Sequence, residues 1–534
     1  MKRIVIGFSV LAAAALSNLP AAGEESAGTG RVVPAMHCAD LPGLHIPGST
    51  MTIAKATAVP ESPPDTVQYM PPFPMKVRVA IPPYCRAEGD FEERVGVGSV
   101  HYAIGFAVAL PDRWNGRFLF QGGGGFNGSV LPPLGTAAAG DTPALARGFA
   151  VVSTDSGHKG AVFDPAFFKD QEAALNFANA SVGKVTTVAK AIIASYYGRP
   201  ATHSYFAGCS TGGREGMEAS ERLPEEFDGI VVGDPAMDVG FSSIGLVWFN
   251  HAMTETAPTD SSGTPHPDKV FSPRDRKLVV DSIMKACDAL DGLRDGMIFN
   301  TGQCHFDPTV LQCTGTKTES CLSAAQVNAL KTAFAGPKDS HGRQVYPGFP
   351  WDSDIAAEGV RPGILASGGT SPVGPQYHKT IDVDGAVERV EKDGVQQLTD
   401  TVNWTNLNSF FARGGKILYF HGTSDPWFSA LATLGYYQRM AKDTGGMDRV
   451  RAQSARFFFV PGMEHCRGGP AALDRFDLLG AVVNWVERGK APDYVIATGP
   501  AFPGRSRPLC AWPQHARYKG HGNSEDATSF ACTE

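Results

Sequence analysis

The chain has 534 residues, of which 43% are hydrophobic and 19% are charged, and its formal net charge at pH 7 is −7. This composition excludes a disordered protein and leaves enough apolar chain for a large core. The lack of a basic excess predicts that nucleic acid is not a partner.

The N-terminus has the pattern of a secretory signal peptide. A basic start at Lys2 and Arg3 precedes an apolar run over residues 4–16 that is too short to span a bilayer comfortably, and Ala22 offers a cleavage site. We therefore predict a signal peptide over residues 1–22, with an uncleaved anchor as the alternative. The mature chain is expected to be secreted or periplasmic and free of the membrane.

The rest of the chain divides by its strand pattern. Residues 23–74 are rich in Pro, Ser, Thr and Ala and are predicted to form an irregular N-terminal extension. Short apolar runs alternate with helical stretches over residues 75–245 and again over residues 406–534, which predicts βαβ units and a mostly parallel sheet. Residues 246–405 lack this alternation and are predicted to be an inserted domain. The predicted strands span residues 77–81, 102–110, 117–121, 149–155, 204–208, 229–234, 416–422 and 456–460, and the predicted helices span residues 173–197, 275–290, 323–334 and 471–488.

Ten cysteines in a chain with an export signal predict five disulfides. The count alone allows on the order of a thousand connectivities. Pairing of neighbours along the chain predicts Cys38–Cys85, Cys287–Cys304, Cys313–Cys321 and Cys510–Cys532. This leaves Cys209 and Cys466 as the fifth pair.

A nucleophile motif lies where a predicted strand meets a predicted helix. Residues Gly208 to Gly212 read Gly-Cys-Ser-Thr-Gly and match the G-x-S-x-G elbow of hydrolases. The glycines are needed because this turn is strained and brings the strand and helix backbones close together. The motif predicts Ser210 as a nucleophile, with an ordinary glycine-rich turn as the alternative.

An acid and a histidine follow the last two predicted strands. Asp425 follows the strand over residues 416–422, and His465 follows the strand over residues 456–460. Taken alone, an Asp-Pro sequence favours a simple turn and a loop histidine favours an exposed side chain. The chain order Ser210, Asp425, His465 is nevertheless that of the α/β-hydrolase catalytic triad, and this triad is our prediction.

The leftover cysteines support the same site. Cys209 precedes Ser210 and Cys466 follows His465 in the chain. Because a disulfide holds its two Cα atoms within about 7 Å, a Cys209–Cys466 bond would keep the serine and the histidine together. Thiol–disulfide exchange through Cys209 is an alternative that requires a free thiol.

These residues resemble the tannase and feruloyl esterase family, which includes the mono(2-hydroxyethyl) terephthalate hydrolases. The resemblance covers about residues 75–534 and is carried by the stretches 122–128, 153–158, 208–214 and 461–466. It implies an α/β-hydrolase fold with a large inserted, disulfide-rich lid domain over residues 246–405, and the five disulfides above. It also implies a secreted serine carboxylic-ester hydrolase.

In the expected mechanism, Ser210 attacks an ester carbonyl, His465 transfers the proton and Asp425 orients His465. The backbone N–H groups of Thr211 and Gly124 are the predicted oxyanion hole. The glycine run at residues 122–125 could instead form a phosphate-binding turn, but it lacks the GK[ST] ending of such loops.

An acidic loop in the insertion has the composition of a calcium site. The carboxylates of Asp288, Asp291 and Asp295, with the carbonyls of Leu293 and Met297, could supply the oxygen ligands that Ca²⁺ prefers. EF-hand spacing is absent, and a solvated acidic turn is the alternative. The resemblance implies a calcium loop of similar spacing in the lid, so we predict structural Ca²⁺ and no organic cofactor.

Substrate contacts are expected in the lid. Arg361 could pair with a substrate carboxylate, and the aromatic candidates are Trp351, Trp404, Phe410 and Phe411. Thr211 is similar to the corresponding residue of feruloyl esterases, which favours a small hydroxycinnamate or hydroxybenzoate ester over a gallate ester or a terephthalate monoester. A catalytically silent binding protein on a hydrolase scaffold is the non-enzyme alternative, and no oligomeric state is predicted.

Overall fold

A mixed sheet of nine strands forms the centre of the computed structural model, which describes residues 31–70, 74–352 and 380–534. The predicted signal peptide therefore lies outside the described residues. The strands are β1 (Thr52–Val59), β2 (Tyr84–Val95), β3 (His101–Pro111), β4 (Arg117–Gln121), β5 (Ala150–Thr154), β6 (His203–Cys209), β7 (Gly229–Gly233), β8 (Lys416–Gly422) and β9 (Ala455–Val460). Their order in the sheet is β1-β2-β3-β5-β4-β6-β7-β8-β9.

The sheet has an antiparallel edge and a parallel half. β1, β2, β3 and β5 pair antiparallel, whereas β5, β4, β6, β7, β8 and β9 pair parallel. The six predicted strands of the parallel half are confirmed, because strands buried on both faces read as short continuous apolar runs. Five shorter strands complete the chain, namely β10 (Arg475–Phe476), β11 (Tyr494–Thr498), β12 (Ser506–Cys510), β13 (His515–Tyr518) and β14 (Phe530–Thr533).

One strand prediction and one prediction of irregular structure at the N-terminal side are wrong. Residues 77–81 form no strand, since the bridges there are limited to an isolated one at Ile81 and another at the preceding Lys76. The segment predicted to be irregular contains β1, which pairs with β2. β1 is an edge strand whose side chains are mostly exposed, so it lacks the apolar alternation that marks a half-buried strand.

Helices cover both faces of the sheet. They are α1 (Gln171–Leu175), α2 (Ser181–Tyr197), α3 (Thr211–Arg222), α4 (Val239–Thr254), α5 (Pro273–Cys287), α6 (Ala324–Ala335), α7 (Val383–Lys392), α8 (Gly394–Thr399), α9 (Asn408–Ala412), α10 (Ala430–Asp443), α11 (Met447–Gln453) and α12 (Leu478–Arg488), with a π-helical turn (Asn176–Ala180) between α1 and α2. Side chains along each strand alternate between two cores. In β4, Phe118 and Phe120 join the core that contains α2 and α10, whereas Leu119 joins the core that contains α12.

The predicted helix over residues 471–488 begins only at Leu478. Arg475 and Phe476 pair with β11 instead. The Asp477 carboxylate accepts a hydrogen bond from the Gly480 N–H at 2.7 Å, which caps the helix at its first turn. Capping and strand pairing therefore override the apolar periodicity of the first seven residues.

The described residues between β7 and β8 add no strand to the nine-stranded sheet. They contain α4 to α9 and a separate core formed by side chains such as Val279, Ile283 and Leu330. The predicted boundary at residue 246 falls inside α4. Among the described helices, none combines the length and the apolar character needed to cross a bilayer.

All ten cysteines are paired. The disulfides are Cys38–Cys85, Cys209–Cys466, Cys287–Cys304, Cys313–Cys321 and Cys510–Cys532, which are the pairs expected from the sequence. No described cysteine is free, so the thiol-exchange alternative for Cys209 is wrong.

Candidate active site

Ser210 lies on the sharp turn that joins β6 to α3. Its backbone angles, φ 63° and ψ −124°, fall in a region that residues other than glycine rarely occupy. The turn also requires glycines, since a Cβ added to Gly212 would lie 2.7 Å from the Gly123 carbonyl oxygen. The backbone N–H of Ser210 donates to the Gly233 carbonyl at 3.0 Å, which ties the turn to the neighbouring strand.

Asp425 and His465 form a hydrogen-bonded pair at the same edge of the sheet. His465 Nδ1 lies 2.7 Å from Asp425 Oδ2. The other carboxylate oxygen accepts the N–H groups of Trp427 at 2.8 Å and Phe428 at 3.1 Å. Burial acts to raise the pKa of Asp425, but the adjacent histidines outweigh it and hold this pKa well below its usual range. Asp425 is therefore an ionised acceptor that fixes the ring of His465.

The second ring nitrogen of His465 is left available. His465 Nε2 is buried and has no hydrogen-bond partner in the described part of the chain. The Cys209–Cys466 disulfide, with a Cα–Cα distance of 5.9 Å, joins the residue before Ser210 to the residue after His465. The tether expected from the sequence is thus present, although Nε2 makes no hydrogen bond to Ser210 in this conformation. Such bonds often tighten only when substrate binds.

Two buried residues that the sequence analysis did not single out support this pair. Asp234, directly after β7, accepts the Gly422 N–H at 2.8 Å and the Cys466 N–H at 3.1 Å. His421, in β8, places Nε2 3.4 Å from Asp234 and 3.3 Å from Asp425. Their position at the carboxyl ends of parallel strands, where ligands of open α/β sheets bind, was a usable signal.

The charges in this cluster compensate one another. Burial raises the pKa of Asp234 to about 6. Burial alone would lower the pKa of His421, but the Asp234 and Asp425 carboxylates outweigh it and raise that pKa. Asp234, His421 and Asp425 each have a ligand atom within 4.8 Å of the other two. Because His421 Nδ1 also lies 2.8 Å from Thr433 Oγ1, and Nε2 lies 3.0 Å from the Phe428 carbonyl, both ring nitrogens are engaged in hydrogen bonds rather than free for a metal.

The two predicted oxyanion donors belong to segments that pack against each other. Thr211 is the first residue of α3, where an N–H group has no acceptor within the helix. Gly124 lies in the loop after β4, and this loop packs on the start of α3. The Gly123 carbonyl accepts the Gly212 N–H at 3.0 Å, and the Thr211 hydroxyl donates to the Gly125 carbonyl.

Comparison with known proteins identifies the family. The chain matches the family described as "Tannase and feruloyl esterase" over residues 92–382 and 376–533. It is 38% identical over 518 residues to the mono(2-hydroxyethyl) terephthalate hydrolase of Piscinibacter sakaiensis, and the match covers 85% of each chain. The chain belongs to the tannase and feruloyl esterase family.

Solved structures agree with this assignment. Feruloyl esterase B from Aspergillus oryzae superposes with a TM-score of 0.73 at 25% identity, covering 93% of this chain and 100% of the other. Tannin acyl hydrolase from Aspergillus niger has a TM-score of 0.66 at 22% identity, covering 93% and 94%, and shows the shared fold. This member of the tannase and feruloyl esterase family has the predicted α/β-hydrolase fold and is a carboxylic ester hydrolase.

The acidic loop of this esterase is folded around its own backbone. Asp288 accepts the N–H of Asp295 at 3.1 Å, and Asp291 accepts the N–H of Leu293 at 3.1 Å. Asp291 Oδ2 and Asp295 Oδ1 are buried without a hydrogen-bond partner among the described residues. Burial and the neighbouring carboxylates raise the pKa of Asp291 to about 7. Asp295 Oδ2 is paired with the buried Arg507 guanidinium, and Arg505 lies 3.8 Å from it. The oxygens that could hold a cation are therefore the two without partners, and the three carboxylates of the loop do not converge within 4.8 Å as the Asp234 cluster does.

The aromatic residues expected to touch substrate pack against other side chains. Trp351 stacks on Phe334 at a centroid distance of 4.0 Å within the core of the insertion. Phe410 is fully buried in a core of the sheet, with Phe411 packed against it, and Trp404 packs under the Arg222 guanidinium. Arg361 lies outside the described residues.

A row of aromatic rings that the sequence analysis missed lies beside His465. The Trp427 ring is 4.7 Å from the His465 ring, Phe163 is 6.4 Å from Trp427, and Phe126 is 5.6 Å from Phe163. We call Phe126, Phe163 and Trp427 the aromatic wall. It runs from the loop of Gly124 to the histidine, and each of its rings is only partly buried. The signal in the sequence was the position of Trp427, two residues after Asp425.

Proposed function

We propose that this protein is a secreted serine esterase that hydrolyses esters of small aromatic acids, of the hydroxycinnamate or hydroxybenzoate type. The observation that carries the proposal is the strained Ser210 tethered beside a histidine whose Nδ1 is bound to a buried carboxylate and whose Nε2 has no partner among the described residues. The five disulfides agree with an oxidising compartment.

The reaction follows from the chemistry of these groups. Ser210 Oγ attacks the ester carbonyl while His465 Nε2 takes the hydroxyl proton, and Asp425 stabilises the resulting imidazolium. The N–H groups of Thr211 and Gly124 bind the oxyanion, a contribution of about 3 kcal/mol per donor. His465 then protonates the leaving alkoxide, and a water molecule activated by His465 hydrolyses the acyl-enzyme.

The aromatic wall supports the choice of acyl group. An aromatic acid bound to Ser210 as its ester would lie near Phe163 and Trp427, and ring pairs at centroid distances of 4.5–7 Å are favourable. The relatives named above are a terephthalate monoester hydrolase, a feruloyl esterase and a tannin acyl hydrolase. A terephthalate monoester is the second candidate, because its hydrolase is 38% identical to this chain.

Calcium is proposed as a structural ion of the acidic loop. Asp288, Asp291 and Asp295 would supply carboxylate oxygens, and the Leu293 and Met297 carbonyls would complete the set. The two buried carboxylate oxygens without partners support this assignment. When bound, the ion would neutralise the loop and take no part in ester cleavage.

The test is a set of initial rates on methyl ferulate, methyl gallate, mono(2-hydroxyethyl) terephthalate and a short p-nitrophenyl ester. The matched control is Ser210→Ala, which removes one oxygen atom. We expect one aromatic ester to dominate and the variant to be inactive on it. A wild-type protein that is inert on all four and is not labelled by a serine-directed phosphonate would instead favour the binding-protein alternative.

A further inference from the structure

A fully buried carboxylate on α3 has no part in the mechanism above. Glu215 is 0% exposed and lies one helical turn after Thr211. Its Oε2 accepts the Gly123 N–H at 2.9 Å. Its Oε1 accepts the Asn127 side-chain amide at 2.7 Å and lies 3.3 Å from the Ser156 hydroxyl. All of these donors come from outside α3, and two of them belong to the loop that contains Gly124.

The period of α3 places the side chains of Thr211 and Glu215 against the loop that contains Gly124. Thr211 and Glu215 are four residues apart, so they lie on one face of α3. The Thr211 hydroxyl donates to the Gly125 carbonyl, and Glu215 accepts the Gly123 N–H. The residues on both sides of Gly124 are therefore tied to the helix that begins at the nucleophile.

These contacts determine the direction of the Gly124 N–H. In a trans peptide the C=O and the following N–H point in opposite directions. The Gly123 carbonyl accepts the Gly212 N–H at 3.0 Å, so the Gly124 N–H of the same peptide points away from Gly212. Glu215 holds the preceding peptide through the Gly123 N–H. Because both peptides that flank the Gly123 Cα are bonded, glycine's rotational freedom at this position is removed.

The far side of the carboxylate is also held. Asn127 donates to both Glu215 and Ser156, and the backbones of Asn127 and Ser156 have φ values of 55° and 62°. Left-handed backbone at residues other than glycine persists only where surrounding contacts enforce it. Glu215 therefore joins the loop after β4, the turn after β5 and α3 into one unit.

We propose that Glu215 is a positioning residue that holds the Gly124 N–H in the oxyanion hole. This inference rests on the proposed function, since it needs an oxyanion that forms on attack by Ser210. Burial raises the pKa of Glu215, whereas the Arg214 guanidinium and the hydrogen bonds from Gly123, Asn127 and Ser156 act against this shift. These three donors need acceptors, and the ionised carboxylate supplies them at both of its oxygens. A glutamine offers one acceptor, so its NH₂ group would face either the Gly123 N–H or the Asn127 amide.

The test compares three variants on the best ester of the panel. Glu215→Gln removes one acceptor, and Glu215→Gln/Asn127→Asp restores it, because the glutamine amide can donate to the new aspartate while its oxygen accepts the Gly123 N–H. Glu218→Gln is the matched control, since Glu218 is also a buried glutamate of α3, and its Oε2 has no hydrogen-bond partner among the described residues. The readouts are kcat, KM, the thermal midpoint and the affinity for phenylboronic acid, whose tetrahedral serine adduct places an oxygen in the oxyanion hole.

We expect Glu215→Gln to lower kcat by about 10- to 100-fold with little change in KM, since loss of a whole donor costs about 10²- to 10³-fold. Phenylboronic acid should bind correspondingly more weakly, and the double variant should recover most of both losses. Glu218→Gln should keep the wild-type kcat. A Glu215→Gln enzyme with wild-type kcat and boronate affinity overturns the inference, as does a loss that appears only in the thermal midpoint. An inert wild-type enzyme would overturn the proposed function instead.

Discussion

The Cys209–Cys466 disulfide allows a prediction that separates its effect on stability from its effect on catalysis. The two cysteines are 257 residues apart, whereas Cys313 and Cys321 are only 8 residues apart. In the chain-entropy description, closing these loops stabilises the folded state by about 5.5 and about 2.5 kcal/mol, as upper values. The double variant Cys209→Ala/Cys466→Ala should therefore lose more unfolding free energy than Cys313→Ala/Cys321→Ala, by up to about 3 kcal/mol.

The catalytic effect should differ more sharply. Cys466 has a φ of 66°, and its backbone N–H donates a hydrogen bond to Asp234. If the disulfide is removed, this hydrogen bond is the described contact that remains to hold the Cys466 backbone in place. His465, its neighbour, should then leave its position beside Ser210 for part of the time. We expect kcat of the Cys209→Ala/Cys466→Ala variant to fall by at least about 10-fold, since small displacements of a catalytic group cost up to about 10²-fold. The Cys313→Ala/Cys321→Ala control should retain its kcat.

The assays are chemical unfolding followed by fluorescence and initial rates at a temperature where both variants are folded. The reasoning would be refuted by a Cys209→Ala/Cys466→Ala enzyme with wild-type kcat. It would also be refuted if the two double variants lost equal stability, because the difference in loop length would then have no effect.

Three further predictions concern single side chains. Asp425→Asn should lower kcat by about 10³- to 10⁴-fold with little change in the thermal midpoint, because the amide favours the wrong tautomer of His465. A decrease in kcat of less than tenfold would contradict the triad. Burial lowers the pKa of His158 from 6.5 to about 4. The folded state thus binds fewer protons than the unfolded state between these values, so stability falls as the pH decreases. Between pH 7 and pH 5 the free energy of unfolding should fall by about 2 kcal/mol less in His158→Gln than in the wild type. Unfolding at both pH values measures this difference, and equal pH dependence of the two proteins would refute the prediction. Added Ca²⁺ should raise the thermal midpoint of the chelator-treated wild type but not of Asp291→Ala; equal shifts would place the ion elsewhere.

Much of the fold could be predicted from local pattern. The strands β4 to β9 are buried on both faces, so each reads as a short apolar run that ends at turn residues. The fold class followed from this pattern, and the ester-hydrolase family was expected from a resemblance carried by the motifs around Ser210, Asp425 and His465. The cysteine pairing was also accessible, because four pairs are neighbours along the chain and the fifth flanks Ser210 and His465. The catalytic roles themselves stay predictions until the variants are measured.

Local pattern failed where long-range contacts decide the structure. β1 was missed because an exposed edge strand has no apolar alternation, and its pairing with β2 sets its conformation. Residues 471–477 carry apolar side chains with a helical period, but Phe476 pairs with β11 and Asp477 caps the following helix. The pairing partners of β1 and Phe476 lie far along the chain, so the neighbouring residues in the sequence give no sign of them.

The sequence by itself determined the positions of the parallel strands, the nucleophile turn and the chain order of Ser210, Asp425 and His465, since each is written in consecutive residues or in their succession. The order of the strands in the sheet, in which β5 lies outside β4, came only from the structure. Only the tertiary structure decided which other residues surround them. Asp234, Glu215 and Trp427 come from separate loops and helices. Each is brought to this region because the parallel strands end at one edge of the sheet. A buried carboxylate such as Glu215 is stable only with its hydrogen-bond donors in place, and those donors become neighbours only when the chain folds.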